Sequence, residues 1–240
     1  MGTKATVKFE QKLSEFPLLF ARSVLFGEPP INGTATLVDL GSGPIAVTCA
    51  HVLNEYRSLR DSGRHLRFQI GNVVLDPIAQ LIAEDPYMDL ATVRLSQGQA
   101  AALIGDGVVG SSIFRPRGWP LPPVKAGDVV ALGGFPGPWR ERLAFDELEL
   151  RGFGIGATSV SSVSEDHFAC RFERERWKWS FRLDGLSDLQ ELGGMSGGPA
   201  FLDRGLHFDL VGIVYEFSPG LDIMRLRPAH LIQPDGSIQR

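Results

Sequence analysis

The sequence predicts an all-β chain built as two halves of similar size. Short apolar runs rich in Val, Ile, Phe and Thr recur at 34–40, 45–48, 66–70, 90–95, 129–132, 210–215 and 223–226. Turn signals punctuate them, as in Gly41-Ser42-Gly43-Pro44, Asp61-Ser62-Gly63, Asp106-Gly107 and Asp235-Gly236. Strands spaced in this way indicate a sandwich or a barrel. The stretch 115–123, Arg-Pro-Arg-Gly-Trp-Pro-Leu-Pro-Pro, is neither a helix interior nor a central strand, because proline fixes φ and has no N–H. It lies near the middle of the chain and reads as a connection.

The elements follow in order. Residues 1–28 are expected as an N-terminal arm, 29–114 as a first β unit, 115–127 as a linker, and 128–240 as a second β unit with a short C-terminal helix. Helical spacing is limited to Gln97–Leu103 and Arg227–Ile232. Between 166 and 183 the apolar residues are Phe168, Cys170 and Phe172, then Trp177, Trp179, Phe181 and Leu183. Their parity switches across Glu173-Arg174-Glu175-Arg176, as expected for two strands joined by a charged turn. The glutamates there offset the arginines, so this basic and aromatic stretch is not read as a nucleic-acid surface.

Bulk properties narrow the function. The 240 residues are 43% hydrophobic, carry a net charge of -4 and contain two cysteines, Cys49 and Cys170. Mild acidity argues against a general nucleic-acid or anionic-membrane binder. Two cysteines are too few for a disulfide scaffold and are read as small buried residues. No apolar run approaches the 18 residues of a transmembrane span, and residues 1–16 lack the apolar core of a signal peptide. The expected compartment is the cytoplasm.

Three segments carry chemistry. In Ala46-Val-Thr-Cys-Ala-His51-Val a histidine follows an apolar strand and two small residues. In Asp85-Pro-Tyr-Met-Asp89-Leu-Ala-Thr-Val-Arg-Leu95 an aspartate opens an alternating apolar strand. In Leu192-Gly-Gly-Met-Ser196-Gly-Gly-Pro199 a serine sits among four glycines ahead of Ala200-Phe-Leu. Taken singly, such residues are more often structural. Together they form a working set. A serine hydroxyl is a poor nucleophile near neutral pH and needs a base, and histidine has a suitable pKa. The base must be held in one tautomer, which a buried carboxylate does. An oxyanion needs main-chain N–H donors, and flanking glycines let the backbone turn tightly enough to present them. Asp85 competes with Asp89 for the acid role; Asp89 is favoured because it abuts the apolar strand. His65, His167, His207 and His230 have no metal-ligand spacing and are assigned as surface or satisfied residues, so no metal or organic cofactor is expected.

These three blocks, Thr-Cys-Ala-His, Asp-Leu-Ala-Thr-Val-Arg-Leu and Gly-Met-Ser-Gly-Gly-Pro, resemble the signatures of trypsin/chymotrypsin-like serine peptidases, in that family's order. Leu210-Val-Gly-Ile-Val-Tyr-Glu-Phe217 resembles the family's strand after the nucleophile. Gly133-Gly-Phe-Pro-Gly137 resembles a turn early in the second barrel of non-digestive bacterial members. The resemblance implies two six-stranded antiparallel β-barrels with the active site in the cleft between them. It implies a triad of His51, Asp89 and Ser196, oxyanion donors at Gly194 and Ser196, and a specificity pocket near Gln190, Tyr215, Glu216 and Phe217. It also implies a serine endopeptidase acting on protein or peptide.

Two departures stand out. Zymogen-activated members carry an aspartate before the nucleophile, where this chain has Met195. Many members bridge cysteines around the catalytic histidine, and Cys49 has no such partner. The pattern is similar to the intracellular or regulatory branch, and Gln190 argues against simple tryptic specificity. Restraint by a regulatory partner, a neighbouring domain or a narrow recognition sequence is therefore expected. Two rival functions use the same residues: a catalytically silent, peptidase-like binding module, and an esterase.

Overall fold

The computed structural model describes residues 12–64, 66–105, 111–144, 147–171 and 192–240. It is mostly β: an open antiparallel sheet forms the first half and a closed six-stranded barrel forms the second.

The first sheet has seven strands. They are β1 (Ala21–Phe26), β2 (Ile31–Asp39), β3 (Pro44–Thr48), β4 (Phe68–Ile70), β5 (Val73–Leu75), β6 (Leu81–Asp85) and β7 (Leu90–Arg94), in the order β5-β4-β1-β2-β3-β7-β6. It curls as a half-barrel of seven strands where the resemblance implies a closed barrel of six, and with the closed second barrel it is consistent with the expected chymotrypsin-like double-barrel fold. The expected N-terminal arm supplies β1, which sits inside this sheet between β4 and β2. Val24 and Phe26 face its core, so burial integrates a segment whose apolar pattern is short. β3 is buried along its whole length, consistent with an apolar run that does not alternate.

Two helices accompany the sheet. α1 (Ala50–Asp61) corrects the expectation that helix was confined to Gln97–Leu103 and Arg227–Ile232. Its buried residues, Val52, Leu53 and Tyr56, with Leu59 packed beside them, recur at helical spacing and cover the first core. Arg57 pins the helix to β6 through a two-pronged pair with Glu84 at 2.8 and 2.6 Å. α2 (Gln97–Ile104) falls where expected. Ser96 caps it, accepting from the Gln99 N–H while the Gln99 side chain accepts from Ser96 N–H.

The segment 115–127 contains neither helix nor strand. After it come β8 (Val129–Gly134), the hairpin β9 (Arg140–Ala144) and β10 (Glu147–Leu150), then β11 (Phe153–Val163), β12 (Phe168–Arg171), β13 (Pro199–Asp203), β14 (Phe208–Ser218) and β15 (Ile223–Pro228). The barrel closes in the order β11-β12-β15-β14-β13-β8. β12 supplies the first strand of the expected 166–183 hairpin; the turn at 173–176 and the return strand lie outside the described residues. The expected helix at Arg227–Ile232 is corrected. Arg227 and Pro228 end β15, paired with Ile213 and Gly212, and only Ala229–Leu231 turns as 3₁₀. Pairing with β14 overrides the local helical spacing there.

Each half has its own apolar core, and a third cluster joins them. Phe20, Phe114 and Phe201 meet at this joint with ring centroids 4.9 to 5.3 Å apart. Each such pair adds about 0.5–1.5 kcal/mol beyond area burial. The C-terminal segment crosses back to the first half. Thr92 Oγ1 donates to the Gly236 carbonyl at 2.6 Å, and from the connection between the halves Trp119 Nε1 donates to the Ile232 carbonyl at 2.7 Å.

Candidate active site

His51 is the second residue of α1, directly after β3, so a strand-to-helix corner projects it from the sheet. Asp89 immediately precedes β7 and has φ +50, a left-handed conformation that aspartate tolerates better than most residues. A neighbouring turn sets it there. Asp85 Oδ1 accepts from the N–H of Tyr87 at 2.9 Å and of Met88 at 3.0 Å. Arg240 grips the same carboxylate, donating Nε to Oδ2 at 2.6 Å and a terminal nitrogen to Oδ1 at 3.1 Å. That hydrogen bond is the main cause holding the Asp85 carboxyl below the ordinary range. The two aspartates therefore divide the work: Asp85 shapes the loop and Asp89 meets the histidine.

That meeting is close. Asp89 Oδ2 lies 2.7 Å from His51 Nδ1, and Asp89 Oδ1 accepts the His51 main-chain N–H at 2.8 Å. Two contacts from one carboxylate fix both the ring and its backbone, and favour the Nδ1–H tautomer with Nε2 turned outward as a base. Beneath them Cys49 donates its thiol to the Val214 carbonyl at 3.3 Å. Burial first, and then Asp89, push its pKa well above the ordinary thiol value. The ligand-type atoms of Cys49, His51 and Asp89 lie within 4.8 Å of one another, yet each is already engaged by a hydrogen bond.

Ser196 faces the same cleft as His51. The cleft has a volume of about 330 Å³, and Leu192, Met195, Val214, Tyr215, Glu216 and Phe217 line it among the described residues. Ser196 Oγ donates to the Tyr215 carbonyl at 3.4 Å, and no hydrogen bond joins it to His51 among the described residues. Gln190 lies outside the described residues. Tyr215 sits at a bulge in β14 opposite β15, which turns its ring out of the barrel toward the first core. Arg227 stacks on that ring at 4.1 Å. The same guanidinium donates to the Tyr87 carbonyl at 3.1 Å and to Asp166 at 2.9 and 3.2 Å. Glu216 is drawn to Arg225, 2.5 Å away.

The main chain around Ser196 is closely tied. Gly193 O accepts from Gly137 N–H at 2.6 Å, and Gly194 O accepts from Thr34 Oγ1 at 2.7 Å. Met195 O accepts from Gly198 N–H at 2.9 Å, and Ser196 O accepts from Thr34 N–H at 2.9 Å. Gly197 O accepts from Thr36 Oγ1 at 2.7 Å. The N–H groups of Met195, Gly197 and Gly198 donate to Leu192, Val214 and Met195. Along 194–198, two N–H groups have no acceptor among the described residues, those of Gly194 and Ser196. Peptide planarity aims each away from the carbonyl of its own peptide, and both of those carbonyls are anchored. Gly194 and Gly197 have φ +100 and +94, and a Cβ on Gly197 would overlap the Thr34 carbonyl.

Sequence reasoning did not find Thr34, Arg227 or Arg240. Thr34 leaves one weak signal, a threonine in an apolar strand. The two arginines act only across long chain separations.

The sequence model of the trypsin-like peptidase domain matches residues 33–213. No curated protein matches the chain in sequence. Among solved structures, the fold is similar to that of a serine endoprotease from Yersinia pestis, with 15% identity, a TM-score of 0.50, and coverage of 96% of this chain and 64% of that one. It is also similar to the HtrA-type protease AlgW with a tripeptide, with 14% identity, a TM-score of 0.50, and coverage of 94% of this chain and 60% of that one. The chain thus spans less than two thirds of these two proteins. With the family model covering most of its length and the fold in agreement, this chain belongs to the trypsin-like peptidase domain family.

Proposed function

We propose that the chain is a serine endopeptidase that hydrolyses peptide bonds through an acyl-enzyme on Ser196. The observation that carries the reading is the His51–Asp89 pair at 2.7 Å, sharing a cleft with a serine whose loop leaves the Gly194 and Ser196 N–H groups available. His51 Nε2 takes the Ser196 proton as Oγ attacks the carbonyl carbon, and Asp89 stabilises the imidazolium. The two N–H groups receive the oxyanion. His51 then gives its proton to the leaving amine, and water, activated by the same histidine, releases the acid. The Ser196–His51 hydrogen bond would close with substrate in place, since such contacts are often long in empty sites.

The side chains of Leu192, Met195, Val214 and Phe217 favour an uncharged residue on the acyl side of the scissile bond. Restraint by a partner or a narrow recognition sequence remains part of the proposal; strong activity on unfolded casein without any partner would set it aside. Two free, buried thiols suit a reducing compartment, in keeping with the cytoplasm. No described helix is long and apolar enough to cross a membrane.

One observation favours a second reading. The Ser196 hydroxyl is bonded to Tyr215 rather than to His51, as in a silent site that only captures peptides. A fluorophosphonate probe with mass spectrometry, run beside Ser196→Ala, decides between them. Label confined to Ser196 supports an activated nucleophile; a folded protein without label supports the binding role. Turnover of small esters but not of peptides would identify an esterase.

A further inference from the structure

The loop that offers Gly194 and Ser196 N–H belongs to the second half, yet a strand of the first half holds it. Thr34, on β2, is fully buried and is bonded at every polar atom. Its hydroxyl donates to Gly194 O at 2.7 Å and accepts from Phe135 N–H at 3.0 Å. Its N–H donates to Ser196 O at 2.9 Å, and its carbonyl accepts from Thr48 Oγ1 at 2.8 Å. Two residues earlier, Asn32 Nδ2 donates to Phe135 O at 2.8 Å, and a Cβ on Gly194 would collide with that amide.

Gly194 is the hinge of this arrangement. It has no side chain to restrict φ or ψ, so the Gly193–Gly194 peptide, which carries its N–H, can turn against the Gly194–Met195 peptide unless both are held. Gly137 N–H pins the plane before it, and the Thr34 hydroxyl pins the plane after it. Met195, next in the chain, is buried in the barrel core and carries no charge with which to anchor the loop. We infer that Thr34 is a positioning residue for the oxyanion site: its hydroxyl, held by the Phe135 N–H, locks the Gly194–Met195 peptide, and with the Gly193–Gly194 peptide held by Gly137 this leaves Gly194 no free torsion, so that its N–H is set toward the cleft before substrate arrives. This rests on the peptidase reading for its catalytic consequence, while the backbone lock itself does not.

The test compares wild type, Thr34→Val and Thr34→Ser. Valine keeps the shape and removes the hydroxyl; serine keeps the hydroxyl. Turnover of a chromogenic peptide, affinity for a peptide boronate and thermal midpoint are measured on each. Separately, the ¹⁵N order parameter of Gly194 is measured in the inert Ser196→Ala background. The valine variant is expected to lose roughly 10- to 100-fold in kcat, with KM within twofold and boronate affinity falling in step, because one misaimed donor weakens oxyanion binding. The serine variant should recover to within about threefold, by the same reasoning. The Gly194 order parameter should fall in the valine variant alone. Unchanged kcat and boronate affinity in Thr34→Val, or equal losses in both variants, overturn the inference. Wild type without turnover or label sinks the peptidase reading, and the order parameter then judges the lock by itself. An order parameter unchanged by valine refutes the lock.

Discussion

Asp89 touches His51 twice, at Nδ1 through Oδ2 and at the main-chain N–H through Oδ1, 2.7 and 2.8 Å away. The second contact matters as much as the first, because it ties the carboxylate to the start of α1 and denies it other rotamers.

Asp89→Asn therefore separates geometry from charge. Asparagine tolerates the left-handed backbone at this position and can still accept the His51 N–H. Its amide, however, would donate toward Nδ1 and place the imidazole proton on Nε2, where the base is needed. On the proposed mechanism kcat falls about 10⁴-fold. The thermal midpoint stays within a few degrees, measured by calorimetry beside the peptide assay.

The thiols should be silent in the native protein. Cys170 is pushed up to about 12 by burial, and Cys49 is raised by burial and by Asp89. Both stay protonated at pH 8, and only a thiolate reacts quickly. A chromogenic disulfide reagent should titrate no thiol in folded protein and two after denaturation. Rapid reaction of one native thiol at pH 8 would contradict this environment.

Acid stability should carry a signature of Asp85. Its native carboxyl lies below the ordinary range, mainly through the Arg240 hydrogen bond. A depressed carboxyl stabilises the fold fully above its unfolded value near pH 4, and loses that contribution as pH falls through the native value. Asp85→Asn should be less stable than wild type at pH 6–7, with the gap closing as pH drops below about 4. Thermal midpoints from pH 7 to 2.5 report it. A gap that stays constant with pH would show that the ion pair contributes nothing.

Arg227 links β15, the Asp85–Asp89 loop and the turn before β12. Arg227→Met keeps the apolar stem and removes the fork, at a cost of about 1.5–3 kcal/mol for a charge-assisted hydrogen bond lost from a buried setting. The Asp166 carboxylate is a third exposed, so the ion-pair share is small. Arg227→Lys should recover less than half, because an ammonium cannot donate to Tyr87 and Asp166 while lying flat on Tyr215. Chemical denaturation of the three proteins measures the difference.

Local patterns made much of this molecule legible. The runs at 34–40, 45–48, 90–95, 129–132 and 210–215 each fall on a strand, because alternation and turn residues act over a few positions. His51, Asp89 and Ser196 stood out as candidates for the same reason: each sits near a strand end with a local signature. α1 was less legible, although Val52, Leu53, Tyr56 and Leu59 have helical spacing, because long polar residues between them mask the apolar face. Arg227 looked helical in isolation; its strand partner, Ile213, is known only once the barrel closes. The same holds for Thr34, whose hydroxyl partner lies 160 positions away.

The Asp85–Arg240 bond spans 155 positions, and the Thr92–Gly236 bond spans 144. A chain made from its N-terminus completes the loop that sets Asp89 only after residues beyond 230 have emerged and packed against the first sheet. Ser196, His51 and Asp89 are all synthesised earlier, so the nascent chain would hold its proposed reacting groups before it can aim them. Contacts of such high sequence separation form late in folding. On the proposed peptidase reading, that timing would impose an interval of inactivity during synthesis, set by topology alone.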